Sequence, residues 1–133
     1  MSFVLDASVC ASWAFADESS LMADLADARL DTDIALVPRI WWYEIRNLLL
    51  VNERRHRIQR GDTVAFLNLL AGYPVQIDET FDEFPIFDLA RRHQLSFYDA
   101  AYLELAQRHS APLATLDRAL HAAAASEGIA LLS

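Results

Sequence analysis

Phe3-Val4-Leu5-Asp6 is the stretch on which the fold turns. Three apolar residues in succession, with no polar alternation, suit a strand buried on both faces, as in a parallel sheet covered by helices. Asp6 ends the run, and Ala7-Ser8-Val9-Cys10-Ala11-Ser12-Trp13 then carries a helical pattern. In open α/β sheets, ligands bind beyond the carboxyl ends of the strands, where the strand-to-helix loops open. If this strand is central, Asp6 stands at the middle of that edge. The chemistry is then found by asking which other acids reach it.

Outward from this strand, helices and strands alternate. A polar break at Ala16-Asp17-Glu18-Ser19-Ser20 precedes a helix expected over 21–30, and Ala35-Leu36-Val37 reads as a second strand closed by Pro38. The longest helix is expected over about 39–57, with Glu44 on its apolar face beside Trp41, Ile45 and Leu48. Gly61-Asp62-Thr63 interrupts, and a helix over 64–71 closes at Gly72 and Pro74. Val75-Gln76-Ile77 is a third strand with Asp78 at its end, followed by a helix up to about His93 whose start Pro85 obscures. Ser96 opens a helix to His109, Pro112 to Leu116 is a fourth strand ending at Asp117, a helix follows to Glu127, and Ile129 to Leu132 is a fifth strand. This alternation predicts one α/β domain over 1–133, a parallel sheet with helices on both faces.

Composition narrows the function. The chain has 133 residues, 54% of them hydrophobic, enough for one domain with a real core. No apolar run approaches the roughly 18 residues of a membrane span. No basic and apolar leader opens the chain, and Cys10 is the single cysteine, so a cytoplasmic protein without a disulfide is expected. A net charge of −8 argues against non-specific coating of nucleic acid. All 11 basic residues are Arg, the side chain suited to forked contacts with phosphate, though a G+C-rich genome would give the same bias.

Several common sites are absent. There is no glycine-rich phosphate loop and no nucleophile elbow. His56, His93, His109 and His121 fall on separate helices without zinc-ligand spacing, and solvated surface positions explain them. The acids Asp6, Asp99 and Asp117 remain, with Glu44 on the helix after the second strand. Taken singly, Asp6 and Asp117 suit N-caps, and Ser96-x-x-Asp99 suits a capping box. Glu44 caps nothing, and a carboxylate among apolar residues is costly to desolvate unless paired, Arg39 or Arg46 being nearest in sequence. Two carboxylates about 4 Å apart repel by roughly 4 kcal/mol at an effective dielectric near 20. A cluster of four is tolerable mainly around a divalent cation, and oxygen ligands alone select Mg²⁺ or Mn²⁺. The chemistry that follows is metal-activated water attacking a phosphodiester, with Ser8 and Thr115 orienting carboxylates or metal-bound water. Local turn hydrogen bonds are an equally simple role for that pair.

Val4-Leu5-Asp6-Ala7-Ser8-Val9, Val37-Pro38 through Trp42-Tyr43-Glu44 to Asn47, Ser96-Phe97-Tyr98-Asp99-Ala100-Ala101-Tyr102-Leu103 and Leu113-Ala114-Thr115-Leu116-Asp117 form an ordered set. In that order they resemble the PIN-domain family, and within it the VapC ribonuclease toxins of bacterial toxin–antitoxin pairs. The resemblance spans nearly the whole chain. It implies a three-layer fold with a five-stranded sheet of order 3-2-1-4-5, and Mg²⁺ or Mn²⁺ held by Asp6, Glu44, Asp99 and Asp117. It also implies cleavage of structured RNA such as tRNA or ribosomal RNA, an antitoxin partner and a homodimer within a hetero-oligomer. The order places Asp78 on an edge strand, outside the quartet.

Arg54 and Arg55, in the basic segment up to Arg60, are the candidate contacts to RNA backbone. Trp13, Phe15, Leu21, Met22 and Leu25, with Trp41 or Trp42, are a candidate groove for an antitoxin segment. Three other readings compete. A phosphoacceptor receiver domain needs a Lys at the last strand, and this chain has none. A catalytically silent interaction module and a DNA-directed nuclease differ from the first reading only in activity.

Overall fold

A computed structural model describes residues 1–15 and 17–133, so Ala16 of the expected polar break lies outside the described residues. Its elements are β1 (Ser2–Leu5), α1 (Ala7–Ser12), α2 (Leu21–Arg29), β2 (Ile34–Pro38), α3 (Ile40–Arg54), α4 (Arg60–Ala71), β3 (Val75–Asp78), α5 (Glu83–His93), α6 (Phe97–His109), β4 (Leu113–Ala114) and α7 (Arg118–Ser126). The strands pair in parallel in the order β3-β2-β1-β4. Phe3, Val4 and Leu5 are all fully buried. Because successive strand residues point to opposite faces, both faces of β1 are covered. β1 is an inner strand, flanked by β2 and β4, as its apolar run suggests.

The sheet has four strands, not the five expected. The segment after α7 runs beside β4, but only Leu131 forms a bridge, with Leu113. Leu113 donates to the Ala130 carbonyl and Leu132 donates back to Leu113. The limit is β4 itself. It leaves the sheet after Ala114, where the next residue, Thr115, turns its hydroxyl toward Asp6. Two residues cannot support a longer ladder on the far side.

Local chemistry sets the helix bounds. Ser20 caps α2 by accepting from the Ala23 amide, and Asp82 caps α5 by accepting from Phe84. Pro85 sits in the first turn of α5, where its missing N–H has no intrahelical partner to lose. α3 ends at Arg54, short of Arg57, and α4 begins at Arg60 rather than Val64. The reason is a capping box, in which Asp62 accepts from the Gln59 amide while Gln59 takes the Asp62 amide. The Gly61-Asp62-Thr63 break is therefore a helix start.

The first two helices pack inward. Phe15 is buried, Met22 and Leu25 pack against the core, and Trp13 meets Tyr73 edge-on while donating to the Ala23 carbonyl. Of the candidate groove residues only Leu21 and Trp42 stand exposed, so among the described residues the first two helices present no continuous apolar face. Two of the histidines are not free in solvent: His93 is largely buried, and His109, though exposed, is paired. His93 Nε2 lies 2.6 Å from Glu127, and His109 Nε2 lies 2.5 Å from Asp78, tying helix ends to distant acids. No helix among the described residues is long and apolar enough to cross a membrane.

Candidate active site

Asp6 occupies the N-cap position of α1 yet makes no capping bond. Its side chain is used elsewhere. Ser8 Oγ and Thr115 Oγ1 both donate to Asp6 Oδ2, each at 2.7 Å. Each hydroxyl then accepts a backbone amide from the loop after β4: Ser8 from Leu116 at 3.1 Å, and Thr115 from Asp117 at 3.0 Å. Two hydroxyls thus lock the ends of β1 and β4 together across more than a hundred residues of chain. Thr115 is itself buried, so this is a positioning contact, not a surface turn.

Glu44 lies on α3, half-buried, and Tyr102 Oη donates to its Oε1 at 2.7 Å. Tyr102 is fully buried on α6, one turn beyond Asp99. Sequence reasoning missed this residue. The available signal was a hydroxyl inside the apolar run Ala100-Ala101-Tyr102-Leu103, which needs a buried partner. Neither Arg proposed as a structural partner pairs with Glu44. Arg39 lies 3.7 Å from Glu79, and Arg46 donates to the Trp42 carbonyl and stacks on its ring. Asp99 sits in the first turn of α6, its amide donating to Ser96 Oγ. Asp117 caps α7, its Oδ1 accepting from Leu120 at 2.9 Å.

The four acids converge on one edge electrostatically. Burial pushes the Asp6 carboxyl up, the Ser8 and Thr115 hydroxyls pull it down, and the charges of Asp99 and Asp117 add to the rise. Burial likewise raises Glu44 against the pull of Tyr102, and Asp6 and Asp99 raise it further. Asp99 is raised by burial and then by Asp117, with Ser96 opposing. Tyr102 is pushed far above the ordinary phenol range, by burial first and then by Asp6 and Glu44, so its proton stays in place for Glu44.

The donor set suits a hard divalent cation. Asp6, Glu44 and Asp117 each commit one carboxylate oxygen to a protein donor and leave the other without one among the described residues. Among the described residues, no three acids close around a single point. That openness fits Mg²⁺, which keeps several waters and is commonly held by one or two carboxylates. Burial first, and then mutual repulsion, raises the three carboxyls, and a cation there would offset both.

Asp78, set aside on topology, is engaged elsewhere. Burial disfavours its charge, but bonds from Thr80, His109 and Arg108 prevail and hold the carboxyl well below the usual range. Arg54 and Arg55 stand exposed at the end of α3. Their neighbour Arg57 is taken up by Asp17, at 2.9 Å, and by the Phe15 ring.

A parallel α/β sheet with Asp6 after β1, Asp117 after β4, and Glu44 and Asp99 on the helices α3 and α6 defines a class of acidic-centre domain. The chain belongs to the PIN domain family, whose sequence profile matches residues 3–126. Its fold is similar to that of PAE2754 from Pyrobaculum aerophilum, with a TM-score of 0.71 and 23% identity over 92% of this chain and 79% of that one. It is also similar to Mycobacterium tuberculosis VapC20, a toxin that cleaves the sarcin–ricin loop, with a TM-score of 0.63 and 16% identity over 91% and 94% of the two chains. At these identities the likeness is one of fold. No curated protein matches the sequence.

Proposed function

We propose that the chain is a Mg²⁺- or Mn²⁺-dependent endoribonuclease acting on structured RNA, tRNA or ribosomal RNA, as the toxin of a toxin–antitoxin pair. One observation carries the reading: Asp6, Glu44 and Asp99 have raised carboxyls, to which, after burial, the neighbouring charges of Asp6, Asp99 and Asp117 contribute. Membership of the PIN family and the fold shared with a sarcin–ricin-loop-cleaving toxin support it.

Asp6, Glu44, Asp99 and Asp117 would hold the metal. When bound, it supplies an activated water and neutralises charge on the phosphodiester. The chain's own residues do the rest. Ser8 and Thr115 fix the Asp6 carboxylate so that its Oδ1 faces away from its donors, and Tyr102 orients Glu44 through Oε1. Asp117 is held by its capping bond. An antitoxin would restrain the enzyme, an Arg or Lys from it reaching the acids in place of metal. A cytoplasmic homodimer within a toxin–antitoxin hetero-oligomer is the assembly this reading implies.

Asp99→Asn is expected to abolish RNA cleavage by the purified chain while leaving its circular dichroism intact. Chelation should silence the unaltered chain, and added Mg²⁺ or Mn²⁺ should restore it. Full cleavage in excess chelator would sink the metal reading.

A further inference from the structure

A cavity of about 330 Å³ opens between the first turns of α3 and α6 and the end of β3. Its size is at the lower end of small-ligand pockets, which run from roughly 300 to 1,000 Å³. Every large apolar residue that lines it and stands exposed is aromatic: Tyr43, Phe81, Phe97 and Tyr98. Tyr43 is 61% exposed, though it meets Trp42 edge-on, and Tyr98 is 58% exposed. Glu44 and Asp99 directly follow these two tyrosines, about 3.8 Å along the backbone. None of the four acids lines the cavity, so it meets the acidic edge through the backbone of these two residue pairs.

We infer that this cavity is a subsite for one unpaired nucleobase of the RNA, stacked on Tyr43 and Tyr98, with Arg39 at its mouth for the adjoining phosphate. The inference rests on the nuclease reading and adds to it a requirement for an unpaired nucleotide beside the cleaved bond. Charge favours a neutral base inside. Of the two cations that line the cavity, Arg108 is spent on Glu104 at 2.7 Å and Asp78 at 3.1 Å, leaving only Arg39 available. Charge favours a phosphate outside. Among the described residues Arg39 pairs with Glu79 alone, at 3.7 Å, both side chains largely exposed, and such a surface pair yields easily. A base inside a duplex has both faces covered by its neighbours. Only a splayed or flipped base reaches an aromatic platform.

The test uses the Asp99→Asn chain in Mg²⁺, so that RNA is not consumed, and a ten-nucleotide single-stranded RNA carrying 2-aminopurine. Binding should quench the fluorophore, and the same strand in a duplex should show no quenching. Tyr43→Ala and Tyr98→Ala should each weaken binding roughly 5- to 150-fold and lose the quench, the range expected for base–aromatic stacking. Tyr→Phe at either position should restore both. Both side chains are exposed, so thermal melts should match the parent. Quenching that survives both alanine changes, or equals that with the duplex, overturns the subsite. So does failure of the strand to bind at all. Alanine variants that keep the quench but fall from dimer to monomer by light scattering would assign the face to a second copy instead. Wild-type cleavage separates the two readings: quenching without cleavage keeps the subsite and ends the nuclease, and cleavage without quenching does the reverse.

Discussion

Glu44 shows how a single carboxyl couples the site to stability. Its carboxyl is raised by burial, and by Asp6 and Asp99, against the pull of Tyr102. The folded chain therefore holds that proton to higher pH than the unfolded chain does. The stability this contributes is whole below about pH 4, the ordinary carboxyl range, and is lost as pH rises through the raised value. Glu44→Gln removes the titration but keeps an oxygen for Tyr102. In chelator, the variant should melt at the same temperature as wild type or higher, its relative advantage growing from pH 4 to pH 7. A clear loss of stability would instead make the glutamate structural. Thr115 is the opposite case. Thr115→Val deletes a donor to Asp6 and the acceptor of the Asp117 amide, and should cost roughly 1.5–3 kcal/mol in urea unfolding. Thr115→Ser keeps both bonds and should cost much less. Equal losses from the two would mean the methyl packing, not the hydroxyl, matters.

At the scale of elements, α3 carries both the acid and the basic candidates. Glu44 is in its second turn, and Arg54 is its last residue. Ten residues at 1.5 Å each place them about 15 Å apart along the axis. Arg54 and Arg55 are thus too far to touch the phosphate being cleaved, but well placed for backbone several nucleotides away. Replacing both with Ala should weaken RNA binding and flatten its salt dependence, by about 0.7 in logarithmic slope for each single-strand phosphate lost. An unchanged slope would leave them as a favourable charge at a helix C-terminus and nothing more.

For the whole molecule, the question is what covers its exposed rings. The hairpin of α1 and α2 packs its large residues inward, whereas Phe81, Phe84, Phe87 and Tyr98 stand out around α5 and the start of α6. Co-expression with the neighbouring open reading frame is expected to give a complex larger than the chain alone, with nuclease activity suppressed. Mass measurement and an RNA cleavage assay check both. If the neighbour neither binds nor inhibits, and the chain alone is harmless and monomeric, the toxin assignment fails even where cleavage is seen.

The primary sequence determined the class of fold and the positions of the acids, because both are written locally. An unalternated run such as Phe3-Val4-Leu5 suits a strand covered on both faces, and an acid at its end falls where the sheet opens. Glu44 was legible for a similar reason, as a charge on an apolar face with nothing to cap. What depended on distance along the chain was not legible. Thr115 reaches Asp6 across 109 residues, and Tyr102 reaches Glu44 across 58, contacts that no local pattern records. The fifth strand was lost for the same reason. Ile129 to Leu132 has strand composition, but a strand exists only as long as its neighbour, and β4 turns away after two residues to serve the site. The tertiary structure alone decided that Asp6 is held rather than capping, that Asp78 is spent on Arg108 and His109, and that Tyr43, Phe81, Phe97 and Tyr98 line one cavity. Those outcomes depend on which side chains meet, and only packing brings them together.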